Sequence, residues 1–121
     1  MTPDVITPVA GVRVLWCAPD GPVFDGASAA GELVGGALGR ADVVAVPVDR
    51  LPPEFFALRT GVAGEVLQKF VNYRLRLAVV GDIAEHVAAS TALRDLVRES
   101  NRGVQTWFVA DPAELEARLR A

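Results

Sequence analysis

Residues 52–82, PPEFFALRTGVAGEVLQKFVNYRLRLAVVGD, decide the fold. From Gly61 to Tyr73 the apolar residues fall at 62, 63, 66, 67, 70 and 71, the i, i+3, i+4 spacing of an amphipathic helix. Glu65, Gln68, Lys69 and Asn72 form its polar face, with Glu65 four residues ahead of Lys69 in the favourable order. Residues 75–80 then read as a buried strand ending in Gly81-Asp82. Ahead of the helix, the pair Pro52-Pro53 forbids helix, and 54–58 makes one short turn that carries Phe55 and Phe56 into the core. A helix feeding a buried strand is the second half of a right-handed crossover, so this stretch predicts a parallel α/β sheet.

The chain on either side extends that pattern. Upstream, 41–48 is a nearly unbroken β-branched run that suits a central strand, with Pro47 marking the end of its pairing. Residues 27–38 predict a helix capped by Asp25, and its glycines at 31, 35 and 36 mean that it either packs closely against a neighbour or frays and moves. Residues 11–17 alternate as a strand, Ala18-Pro19-Asp20-Gly21-Pro22 turns, and 22–24 returns to close a hairpin; 1–10 is an extended lead-in. Downstream, 83–89 is a turn or short helix, Ser90 caps a helix over 91–100, and 104–110 is the last strand. Asp111-Pro112-Ala113-Glu114 then opens a final helix with a cap, a proline at the first position and an acid at the third. The order is β-β-α-β-α-β-α-β-α: one α/β domain over 1–121, with a mixed sheet of four or five strands and four helices.

Bulk properties exclude several functions. Net charge is -3 at pH 7, and the eleven arginines and one lysine are scattered among acids, which argues against a nucleic-acid backbone as partner. No apolar run approaches the ~18 residues of a membrane span. The start of the chain lacks the basic and apolar regions of a signal peptide, and the single Cys17 suits a reducing cytoplasm. The excess of arginine over lysine reads as GC-rich coding and hence a bacterial source. Hydrophobic residues make up 51% and mean hydropathy is +0.31, high enough that some apolar surface is expected to face a second copy, as in a homodimer, or another protein.

The strings at 52–82 and Ser100-Asn101-Arg102-Gly103 resemble an uncharacterised bacterial family, domain of unknown function 4180, over nearly the whole chain. That resemblance implies no activity. More distantly, the element order resembles STAS domains, the anti-sigma-factor antagonist type. Those domains carry a phosphorylatable serine between a central strand and the next helix. The resemblance sets Thr60 at the phosphoacceptor position, with Arg59 where the family has an acid.

The corner Arg59-Thr60-Gly61 is the leading site candidate. A helix start leaves unpaired N–H groups and favours anions, Arg59 adds a permanent cation, and Gly61 and Gly64 let a ligand or another backbone approach. The plainer reading makes Thr60 an ordinary cap and pairs Arg59 with a surface acid. Asp82, at the carboxyl end of a strand, either joins that corner or caps 83–89. Lys69, the lone lysine, either serves a site with Glu65 or forms a solvated pair with it. His86 is the only histidine, so neither a zinc site nor a Ser-His-Asp triad has enough residues, and no phosphate-binding glycine motif or cofactor signature is present. These features predict a non-catalytic interaction or regulatory module working through Arg59–Gly64. A binder or enzyme for a small anionic ligand at Arg59, Thr60 and Asp82 is the alternative.

Overall fold

The computed structural model describes residues 3–24 and 26–121. The chain forms strands β1 (Val5–Val9) and β2 (Val12–Trp16), helix α1 (Gly26–Ala37) and strand β3 (Val43–Pro47). There follow helices α2 (Pro53–Phe56) and α3 (Val62–Asn72), strand β4 (Arg76–Val80), helices α4 (Ala84–Ala89) and α5 (Thr91–Arg102), strand β5 (Thr106–Val109) and helix α6 (Pro112–Arg120). The sheet runs β1-β2-β3-β4-β5, with β1 antiparallel to β2 and the other neighbours parallel.

The expected order of elements is present, but its first hairpin is displaced. Residues 5–9 are strand β1, not a lead-in, and 22–24 form no strand. The hairpin turn is Ala10-Gly11, with φ of 52° and 82°, the mirror-image turn that matches strand twist. Val9 pairs with Val12 across it, so Pro8 stands opposite Arg13 at a pair that exchanges no hydrogen bonds. The missing N–H of Pro8 therefore faces the outer edge, where a proline is tolerated. The described residues hold six α-helices, not four: 53–56 and 84–89 are short helices of their own. Pro53 opens α2 at its first position, where an N–H would be unpaired anyway. The proposed cap Asp25 lies outside the described residues.

Because β2 to β5 lie in sequence order, right-handed crossovers put α1, α3 and α5 on one face of the sheet. There Leu33, Val34, Val66, Phe70 and Leu93 pack on Val44, Val46, Leu77 and Val79. Phe55 and Phe56 join this core as expected, meeting edge to face at 5.2 Å. Helix α6 turns to the other face, where Leu115 packs with Val14, Val43, Ala78 and Trp107. Trp107 fills its side of that face between the guanidinium groups of Arg76 and Arg118, at 4.6 and 4.5 Å. Helix α1 packs closely against α3, but not through Gly31 or Gly35. A Cβ on Gly31 or Gly35 would meet nothing within 4 Å, and the helix is held instead by Ala30, Leu33, Val34 and Ala37.

The outer edge of β5 is occupied by a side chain. Asn101 donates to the Phe108 carbonyl at 3.2 Å and accepts the Phe108 N–H at 2.8 Å, as a neighbouring strand would. The end of α5 thus does more than stop a helix. All crossovers set helix starts at the carboxyl ends of the strands and helix ends at the amino ends. The sheet therefore has two edges of different character, one of helix starts and one of helix ends.

Candidate functional site

At the carboxyl edge, the corner after α2 is built from a short 3-10 turn at Leu58–Thr60 and Gly61. Gly61 has φ 80°, a left-handed conformation open to glycine, and it precedes α3 as the capping residue. Thr60 is therefore not the cap. Its hydroxyl turns back toward α2, 2.6 Å from the Glu54 carbonyl and 2.8 Å from the Ala57 carbonyl, with one proton to donate between them. The same oxygen accepts the Val62 N–H at 3.3 Å, so the first α3 amide is partly satisfied from within. Arg59, Thr60, Gly61 and Gly64 are all exposed, and a Cβ on either glycine would meet nothing within 4 Å. Arg59 forms no ion pair among the described residues.

Arg59 and Asp82 line two separate depressions. One of about 440 Å³ is lined by Arg59, Pro53, Phe56 and His86. His86 stacks on Phe56 with ring centres 4.2 Å apart and planes 11° from parallel. The other, of about 370 Å³, is lined by Asp82, Ile83, Phe108 and Glu114. Arg59 and Asp82 thus belong to different walls, and Thr60 lines neither. Asp82 caps the following turn, accepting the Ala84 N–H at 2.9 Å. Gly81, at φ 142°, lies so close to Val48 that a Cβ would fall 2.8 Å from its Cγ2. Glu65 and Lys69 do not close an ion pair among the described residues. The Lys69 ammonium instead sits 5.5 Å from the centre of the Tyr73 ring.

Other carboxyl-edge charges hold loops in place. Arg50, only 6% exposed, donates to the carbonyls of Pro22 and Ala18 at 3.0 and 3.1 Å and lies over the Phe24 ring at 4.1 Å. Asp4 accepts the Ala18 N–H at 2.7 Å, with Arg50 3.7 Å away. Burial first, and the Asp4 charge second, push the Cys17 thiol up to about 12 against an opposing pull from Arg50. A thiol so held is a small buried hydrophobe and not a nucleophile. An apolar hollow of about 380 Å³, walled by Trp16, Pro47, Val80 and Pro112, opens beside it on the α6 face. The pairing of His86 with Phe56 and the role of Arg50 were missed in the sequence, because each depends on partners 26 or more residues away. Among the described residues no three His, Cys, Asp or Glu side chains gather as metal ligands. No helix there is long and apolar enough to cross a membrane.

Together these features define an α/β domain with a parallel four-strand core, a hairpin at one edge and capped, exposed helix starts at its carboxyl ends. The chain belongs to the family described as a domain of unknown function (DUF4180), whose family model matches residues 9–119. No curated protein and no solved structure matches it.

Proposed function

We propose that this domain is a non-catalytic cytoplasmic interaction module, dimeric through a surface at Arg59–Gly64 and the adjoining polar face of α3. One observation carries the reading: Arg59, Thr60 and Asp82 do not share a cavity, while Gly61 and Gly64 leave the helix start bare of side chains. A ligand pocket needs converging polar groups. A bare, exposed corner instead lets a second backbone come close. STAS-like control by phosphate at Thr60 belongs to the same proposal. A phosphate there would gain from Arg59 and the α3 amides and would break the hydroxyl's bond to the α2 carbonyls.

The anionic-ligand alternative has less support, since Asp82 and Glu114 place carboxylates in the second depression. Light scattering and a thermal-shift screen with phosphate and sugar phosphates separate the two. The module gives twice the chain mass, falling to one chain mass in a folded Gly64→Arg variant, and no ligand shift. A phosphate-induced rise in Tm that disappears in folded Arg59→Ala overturns it in favour of the binder.

A further inference from the structure

The turns entering β3, β4 and β5 form one rim at the amino edge of the sheet, and hydrogen bonds lash them together. Arg76 N–H donates to the Asp42 carbonyl at 3.0 Å, the Arg76 Nε to the Val104 carbonyl at 2.6 Å, and the Gln105 amide to the Leu75 carbonyl at 2.6 Å. Large apolar side chains remain exposed along it: Leu38 at 51%, Val71 at 47%, Tyr73 at 45% and Val104 at 69%. An apolar patch rimmed by polar groups marks an interaction surface more often than a solvated one.

The charge of this rim is positive. Its acids are matched, Asp42 by Arg13 at 3.1 Å and Glu99 by Arg102 at 3.3 Å. Arg40 and Arg74 are in excess, and Lys69 over Tyr73 extends the positive field along α3. Arg40 donates to the Gly36 carbonyl at the end of α1. Arg74 makes no hydrogen bond or ion pair from its side chain among the described residues.

Arg74 also sits in a conformation unfavourable to it. Its N–H bonds the Val71 carbonyl and the Leu75 N–H bonds the Phe70 carbonyl, the six-to-one closure of a helix end whose turning residue is usually glycine. Here the turning residue is arginine, at φ 56°. Backbone strain kept at an exposed, unpartnered cation points to a use for that cation.

We propose that this rim is the docking surface for an acidic protein segment that carries apolar side chains, with Arg74 and Tyr73 at its centre. Charge complementarity selects an acidic occupant, and the four exposed apolar residues select a protein over a polyphosphate, because aliphatic side chains give a phosphate backbone nothing to bind. A nucleic acid would also meet a chain whose net charge is -3. A second copy is a poorer occupant, since Asp4, Asp82, Asp111 and Glu114 at its carboxyl edge are already bonded to backbone amides and only scattered acids such as Asp49, Glu54 and Glu85 stay exposed there. The rim lies at the opposite end of α3 from the Arg59 corner and does not rest on that reading.

Fluorescence anisotropy tests the proposal, with the full chain titrated into a labelled 20-residue peptide of Glu, Asp and Leu. Binding is expected to weaken as salt rises, and a polyglutamate of equal length is expected to bind roughly tenfold more weakly. Arg74→Gly is expected to raise Tm while cutting peptide affinity roughly tenfold; Arg74→Lys, with the same backbone and charge, retains most of it. Gly64→Arg at the distant corner leaves binding unchanged. The proposal is overturned if the peptide does not bind, or if Arg74→Gly and Tyr73→Ala both bind it like the parent. It is also overturned if a single-stranded DNA 20-mer binds more tightly, or if sedimentation shows salt-sensitive polymerisation of the chain alone.

Discussion

The two edges of the sheet use charge and backbone strain in opposite ways. At the carboxyl edge, three carboxylates are consumed by the fold: Asp82 caps Ala84, Asp111 caps Glu114, and Glu114 reaches back to the Ala110 N–H at 2.7 Å. Unusual φ values there belong to Gly61 and Gly81. At the amino edge an arginine occupies a left-handed position, and its guanidinium has no partner among the described residues. Helix dipoles favour this division, acids near helix starts and cations near helix ends, so the segregation costs little. The named carboxylates of one edge are thus tied to backbone amides, whereas the Arg74 side chain at the other has no bond among the described residues.

Substitutions can break or sharpen this contrast. Gly81→Ala should have the largest effect, because the new Cβ meets Val48 at 2.8 Å and φ 142° strains any side chain. Overpacking and backbone strain together should cost about 3 kcal/mol in urea denaturation. A cost under about 1 kcal/mol would mean that the carboxyl edge is looser than it looks. Arg74→Gly should move stability the other way, by about 1 kcal/mol, through relief of the left-handed arginine. A loss of stability instead would remove the asymmetry.

The smallest effect concerns Asp42. Hydrogen bonds from Arg13 hold its carboxyl below the usual carboxylate range. A lowered folded-state value means that the pair stabilises the protein above the ordinary carboxylate pKa, and that this contribution is lost as pH falls through the lowered value. Melting curves from pH 6 down to pH 2 should therefore converge for the parent and Asp42→Asn at the acid end, with a slight parental advantage near neutrality. Both groups face solvent, so added salt should shrink that advantage.

Legibility in the sequence followed the range of the forces involved. α3 was visible because a 3.6-residue period repeats along it, and α6 because its cap, proline and acid fall within four residues; Asp111 does accept the Glu114 N–H at 2.8 Å. Ser90 likewise caps α5 through the Leu93 N–H. β1 was hidden since its turn is Ala10-Gly11, without the Asn or Asp that signals a tight hairpin, and since two prolines made it look unpaired. The corner at residues 59–61 was located, but not which residue caps it: the pull of two α2 carbonyls on Thr60 is tertiary. Lys69 was singled out for the wrong neighbour, as Tyr73 and not Glu65 lies under its ammonium. The rim could not be foreseen without knowing that three distant turns adjoin.

The amide of Asn101 on β5 and the ring of Pro8 on β1 close the sheet at both margins. A five-stranded sheet so terminated offers an incoming extended chain few donors or acceptors to continue the ladder. For a chain this rich in valine and leucine, that finish guards against fibril-like growth. Any contact the domain makes with another chain is then left to its side chains and not to strand addition.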